Sequence, residues 1–260
     1  MVAIIAPDDR DAILLGTADN DEILGKEGND YLFGLEGNDC LTGSGGRDLL
    51  SGNTGNDSII GGEGNDLCYG GQNDDLISGN DGNDFLYGDL GNDILNGDRG
   101  NDYFFGGEGN DTIQGGDGND LILGGQGDDS LTGGAGNDFI WGGQSIINDM
   151  IDGGEGNDTL SGDRGGGILS GGPGADVYIL RASLATDPRN RPLISGYQET
   201  DVIGLAGISV NDVAVTRTGR FEARIDQIST GAVIASIYGI DSSLIFNNQV
   251  RFLEVDVGLI

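Results

Sequence analysis

The chain contains no histidine. That removes the commonest acid or base near neutral pH and the commonest transition-metal ligand. A Ser-His-Asp or Cys-His catalytic site is therefore excluded. Only two cysteines are present, Cys40 and Cys68. The period described below puts the first outward and the second inward, so no disulfide is expected. Basic residues are scarce, 12 against 44 acidic, for a net charge of -32. Such a surplus argues against nucleic acid as a partner. No transmembrane span is visible. The start, MVAIIAPDDR, has a short apolar run with no basic region before it. It does not resemble a secretory signal peptide.

What the chain has instead is glycine, 52 residues of it, in a fixed pattern. From Gly106 the sequence runs GGEGNDTIQ and then GGDGNDLIL. The template is Gly-Gly-x-Gly-x-Asp-x-apolar-x. Eighteen units follow it, one every nine residues from Gly16 to Gly142, then at Gly153, Gly162 and Gly171. The unit Gly142 to Asp152 carries two extra residues. A period this strict dictates a repeat architecture. The charge belongs to it: up to Ile179 there are 35 acidic and 5 basic residues, and beyond it 9 and 7. Charge repulsion and glycine entropy both oppose folding. Something cationic must come with the fold.

Each unit is expected to form a six-residue turn and a three-residue strand. Glycine at positions one and four allows positive φ, and the frequent Asn at position five tolerates the left-handed region. Alternation in the strand points position eight inward and positions seven and nine outward. Two units make one coil. Successive coils then stack as two parallel sheets around a core one residue wide, too thin to hold the fold alone. Residues 1–15 are expected as a lead-in capping the first coil or as a tail, 16–179 as the roll, and 180–260 as a β-rich cap. In that last segment strands are expected near Asp212–Thr216, Phe221–Ile228, Ala232–Tyr238 and Val250–Val257. Turns are expected at Thr218-Gly219 and Thr230-Gly231.

The repeated nonapeptide resembles the RTX, or haemolysin-type, calcium-binding repeat family. The resemblance implies an all-β fold, a parallel β-roll, here with a small C-terminal antiparallel cap. It also implies several bound Ca²⁺ ions, each between one turn and the turn two units later. Two Asp side chains and main-chain carbonyls near positions two and four would hold each ion. The position-six aspartates are Asp21, Asp30, Asp39, Asp48, Asp57, Asp66, Asp75, Asp84, Asp93, Asp102, Asp111, Asp120, Asp129, Asp138, Asp158 and Asp176. Calcium prefers six to eight oxygens in flexible geometry, which glycine-rich turns and carboxylates supply. Stacked carboxylates at the ~5 Å strand spacing would otherwise repel. The even-numbered units all keep the pattern, whereas the odd ones depart from it at Asp19, Asn73, Ser145 and Gly167. Unless Asp149 substitutes, the long unit lacks its carboxylate. A filled even edge and a degraded odd edge are expected.

The outward positions differ between the sheets. Even strands place Tyr31, Phe33, Tyr69, Phe85, Tyr87, Tyr103, Phe105, Phe139 and Trp141 outward, and odd strands place no aromatic there. Nine strands at ~4.8 Å give an apolar strip about 40 Å long. Patches on that scale mark interfaces. A second copy, a cell-surface or matrix partner, or the C-terminal segment could cover it. Aromatics could also simply be tolerated there.

The family resemblance further implies type I export through a C-terminal signal, which the ending VRFLEVDVGLI loosely matches, and hence a secreted or cell-surface location. A final strand would look the same. Some relatives bind ice through a Thr row at position three, but that row is not found here. Runs fitting GxGxxG lack the strand-to-helix context of a nucleotide site. No enzymatic activity is expected. The sequence points to a calcium-folded structural or adhesive protein, or else to a calcium-dependent carbohydrate- or surface-binding module.

Overall fold

The computed structural model describes residues 2–8, 10–143, 149–162, 167–181, 192–206, 213–217, 222–227, 233–238 and 251–255. The expected turns at Thr218-Gly219 and Thr230-Gly231, the odd-unit residue Ser145, and the last residues of the export-signal match lie outside them.

The fold is all-β, a parallel β-solenoid. The chain alternates between two sheets, one of 14 strands and one of 12, with consecutive strands assigned to opposite sheets through the repeats. Within a sheet each strand pairs in parallel with the strand one coil on. Phe85 lies opposite Tyr103, and Ile94 opposite Thr112, both 18 residues apart. At the long unit Ser130 pairs with Met150, so the offset becomes 20 and the register survives.

Position eight fills the interior in single file. Leu32, Leu41, Leu50, Ile59, Cys68, Ile77 and Leu86 are fully buried, and Ile151 takes the place in the long unit. Each such side chain contributes ~1.5–3 kcal/mol. Ordering the backbone costs ~1–2 kcal/mol per residue over the whole unit. The thin core alone does not outweigh that cost. Cys40 is exposed and Cys68 buried, and neither forms a disulfide.

The strands are longer than the repeat suggests. A typical one, Phe85–Leu90, has six residues, leaving Gly91-Asn92-Asp93 as the turn. Pairing continues across positions two and three, with Asp89 opposite Gly107 and Leu90 opposite Glu108. The short turn is possible because φ is positive at positions two and four, not at one and five. Asp89 has φ 72° and Gly91 φ 147°.

The two sheets extend beyond the repeats at both ends. Val2–Ile5 pairs with Asp21–Glu27, and Ile13–Leu15 with Tyr31–Glu36, so the lead-in forms a further coil. At the other end Pro192–Ser195 and Val202–Ala206 continue the two sheets in parallel. All four expected C-terminal strands form, but only three are antiparallel neighbours. Val213–Arg217, Glu222–Gln227 and Val233–Tyr238 make a meander on the odd sheet. Arg251–Val255 instead joins the even sheet in parallel, beside Val202–Ala206.

Candidate metal-binding edges

The turns form two rows, one along each edge of the roll. Where a turn carries an Asp at position six, that side chain is buried beneath the backbone. One oxygen, Oδ1, accepts the amide of the aspartate one coil earlier. Asp66 donates to Asp84 at 2.7 Å, Asp84 to Asp102 at 2.8 Å, and Asp102 to Asp120 at 2.8 Å. The outcome is a one-way carboxylate ladder. On the even edge it runs from Asp30 through Asp48, Asp66, Asp84, Asp102, Asp120, Asp138 and Asp158 to Asp176. The odd ladder contains Asp21, Asp39, Asp57, Asp75, Asp93, Asp111 and Asp129.

Two more carboxylates join from outside the nine-residue spacing. Asp149 accepts from the Asp129 amide at 3.1 Å, so it does replace the missing residue of the long unit. Asp201 accepts from the Asp176 amide at 3.1 Å, beyond the last repeat. The odd ladder gives out at the next coil, where Gly167 lies opposite Asp149. The even one continues to Asp201.

The other carboxylate oxygen is the unusual one. On fifteen of the sixteen repeat aspartates, Asp30 through Asp176, Oδ2 is buried and has no hydrogen-bond donor. These residues are at most 3 % exposed. Buried acceptors are rarely left unpaired, and unpaired buried carboxylates are costly. Acceptor-only oxygens repeated at each turn fit a hard cation. Among the described residues no three acidic, cysteine or histidine side chains converge on one point. An ion here would therefore take most of its oxygens from main-chain carbonyls. Position one must be Gly for a steric reason. A Cβ on Gly61 would lie 2.5 Å from Asp66 Oδ2 and 3.0 Å from the Gly79 carbonyl oxygen.

The family model for the RTX calcium-binding nonapeptide repeat matches residues 15–50, 42–77, 69–104, 78–113, 99–131, 114–145 and 147–178. Together these spans exceed half of the chain. The chain belongs to the RTX calcium-binding repeat family. No curated protein sequence matches it. Among solved structures it is similar to the extracellular lipase LipA from Serratia marcescens, at 16% identity and a TM-score of 0.27. That alignment covers 80% of this chain and 40% of the lipase chain.

Burial dominates the electrostatics along the RTX edges. Burial drives the carboxyls up. The amide bond to Oδ1 opposes the rise, and carboxylates of adjoining turns add to it. Asp48, Asp102 and Asp111 are held at about 7 and Asp75 at about 8. Asp57, Asp84, Asp93, Asp120, Asp129, Asp138, Asp158 and Asp176 sit at about 6. Asp30, Asp39 and Asp66 are raised, chiefly by burial. Asp21 goes the other way. Burial pushes it up, but the Thr17 hydroxyl and amide hydrogen bonds outweigh that and leave it below the ordinary value.

Position five also carries a ladder, which the sequence suggested only as a turn residue. Asn83 Oδ1 accepts the Asn101 amide at 2.8 Å, and Asn101 Oδ1 accepts the Asn119 amide at 2.8 Å. It runs in the opposite sense to the Asp ladder. The signal for it was the recurrence of Asn itself, in a place where φ needs no special residue.

The even-sheet aromatics lie together on one outer face. Tyr31, Phe85 and Phe105 are exposed, while Phe33, Tyr69, Tyr87, Tyr103, Phe139 and Trp141 are half-buried. The rings pack on one another along the roll. Tyr69 stacks on Tyr87 at 4.9 Å, and Phe85 meets Tyr103 at 5.6 Å. Beside them runs a groove of about 1540 Å³, between a row containing Tyr69, Phe105 and Trp141 and a polar wall containing Gln72, Asp89 and Gln126. The odd strands of the repeats carry no outward aromatic but expose Ile60, Leu76, Ile94, Met150 and Ile168. Among the described residues no helix is long and apolar enough to cross a membrane.

Proposed function

We propose that this chain is a secreted structural or adhesive protein that becomes a rigid roll by binding calcium along its two aspartate edges. The observation that carries the reading is the row of buried Oδ2 atoms without donors. Bound calcium would supply the positive charge that those oxygens lack. The holders would be the fifteen repeat aspartates from Asp30 to Asp176 and Asp149, with carbonyls of the glycine turns. The roll's own residues then do the rest. The Asp and Asn ladders fix the spacing of turns, and position eight excludes water from the interior.

Affinity follows from the setting. Extracellular calcium modules bind at ~10⁻⁴–10⁻³ M. The chain would stay open in the cytosol and fold where free calcium is higher, by mass action. RTX proteins are typically secreted, which suits such a switch. Export by a type I route through the C-terminal segment belongs to the same proposal. Contacts would be made by the even aromatic face, by self-association or against a surface partner. The test is a calcium titration of metal-free protein, followed by circular dichroism with light scattering on the same sample. Expected is a steep gain of β-structure, with assembly that grows with concentration. A chain equally folded in chelator would overturn the reading.

The groove on the even face favours a second reading, a calcium-dependent carbohydrate-binding accessory module. Its ring edges and amide wall suit a sugar polymer. Monomers that bind a polysaccharide without assembling would support this reading over the first.

A further inference from the structure

The orphaned carboxylate oxygens stop at the N-terminal end of the odd ladder and at the C-terminal end of the even one. Asp21, first on the odd edge, has its Oδ2 filled by Thr17, whose amide donates at 2.6 Å and hydroxyl at 2.9 Å. Asp201, last on the even edge, has its Oδ2 filled by the Gln198 amide at 2.6 Å. Both are fully buried, like the inner members. At Oδ2 each has a proton donor where the inner repeat aspartates have none.

The turn that ends at Asp201 is built to match the repeat turns without using their sequence. Aligned on Asp201, it reads Gly196-Tyr197-Gln198-Glu199-Thr200-Asp201, and Val202 pairs with Val177 as a seventh position should. Its side chains reach back to the last repeat turn. Gln198 Nε2 donates to the Gly172 carbonyl at 2.5 Å, and Thr200 Oγ1 to the Gly174 carbonyl at 2.7 Å. Tyr197, buried against Tyr178, donates its hydroxyl to the Asp201 carbonyl at 2.8 Å. Carbonyl oxygens and a carboxylate oxygen that face this gap are thus already bonded to neutral protein donors.

We infer that the ion columns are finite, and that the chain's own donors close them at Thr17 and at the Tyr197–Asp201 turn. This rests on the calcium reading above. On the even edge the nine aspartates from Asp30 to Asp176 enclose eight intervals. The interval between Asp176 and Asp201 is not a ninth site. An open end would leave a half-coordinated ion and an unpaired carboxylate facing water. A neutral plug ends the column without either, and holds the last turn in the geometry that the next ion inward requires.

The experiment counts calcium per full-length chain after dialysis against calcium buffer, with the midpoint of calcium-induced folding measured alongside. Asp201→Asn is expected to keep the parent's ion count and to raise the midpoint several-fold. Asp176→Asn should lose at least one ion. The triple variant Gln198→Pro, Glu199→Gly, Thr200→Ala copies the Pro173-Gly174-Ala175 turn, removes the amide donor to Asp201 and frees both carbonyls, so it should gain one ion. Loss of an ion in Asp201→Asn, or no gain in the triple variant, overturns the plug. Should Asp201→Asn fail to fold, the triple variant decides alone. A parent chain that binds no calcium at all would overturn the functional reading itself, a distinguishable result.

Discussion

At Gly61 one absent methyl group decides whether the edge can form. The Cβ of any other residue would press on both the Asp66 carboxylate and the Gly79 carbonyl of the next coil. The carboxylate is tethered at Oδ1 by the Asp48 amide and the carbonyl is backbone, so neither yields freely. Gly61→Ala should therefore destabilise the calcium-loaded roll by ~1–3 kcal/mol, the usual range for overpacking. Thermal unfolding in saturating calcium measures it. Asn101→Ala makes a milder comparison. It removes the acceptor of the Asn119 amide and side-chain nitrogen and the donor to Asn83, and leaves the backbone intact. A loss of ~0.5–1.5 kcal/mol is expected, because all three hydrogen bonds lie at exposed turns where water replaces them. If the two variants were equally stable, the steric account of position one would be wrong. At this scale the sequence was legible wherever a residue type recurs at a fixed offset. Position six and position eight were both assigned from periodicity. Thr17, Gln198 and Thr200 were not, because each acts once and outside the pattern.

At the scale of the element, a strand of six residues emerged where three were expected. Positions two and three look like turn sequence, rich in Gly, Asn and Asp, which are poor strand formers. They pair because each lies opposite its own equivalent in the next coil, as Asn53 does with Gly71. Tertiary stacking, not propensity, makes them strand. The long unit shows the same logic. Its two extra residues displace the aspartate in sequence but not in space, since Asp149 occupies the ladder. A spacing rule of nine could only offer it as a substitute. Asp149→Asn should thus weaken calcium binding and lower the number of ions bound, whereas Asp152→Asn, an exposed carboxylate three residues on, should leave both unchanged. Metal analysis of the two purified variants separates them. Equal loss from both would mean that the long unit binds through charge alone, without a defined place in the ladder.

Across the whole molecule, the same buried carboxylates set how the fold responds to protons. Metal-free, they resist ionisation in the roll, with values up to about 8 for Asp75, against an ordinary value of 3.8 when exposed. Burial is the main cause. A carboxyl whose folded value lies above its unfolded one binds more protons when folded. Its penalty on the roll is absent below the unfolded value and grows as pH climbs through the folded one. Acidifying metal-free protein from about pH 8 toward pH 4 should therefore favour the compact state, and the fall in net charge acts in the same direction. With calcium present the sign reverses. Protons and ions compete for the same oxygens, so the calcium midpoint should move to higher concentration as pH drops through this window. Circular dichroism in chelator across the pH range, set beside calcium titrations at each pH, checks both limbs. A chelated chain that gains no structure on acidification would show that ionisation of these buried carboxylates is not what opposes the metal-free fold. A calcium midpoint that does not move with pH would place the ions away from the ladders.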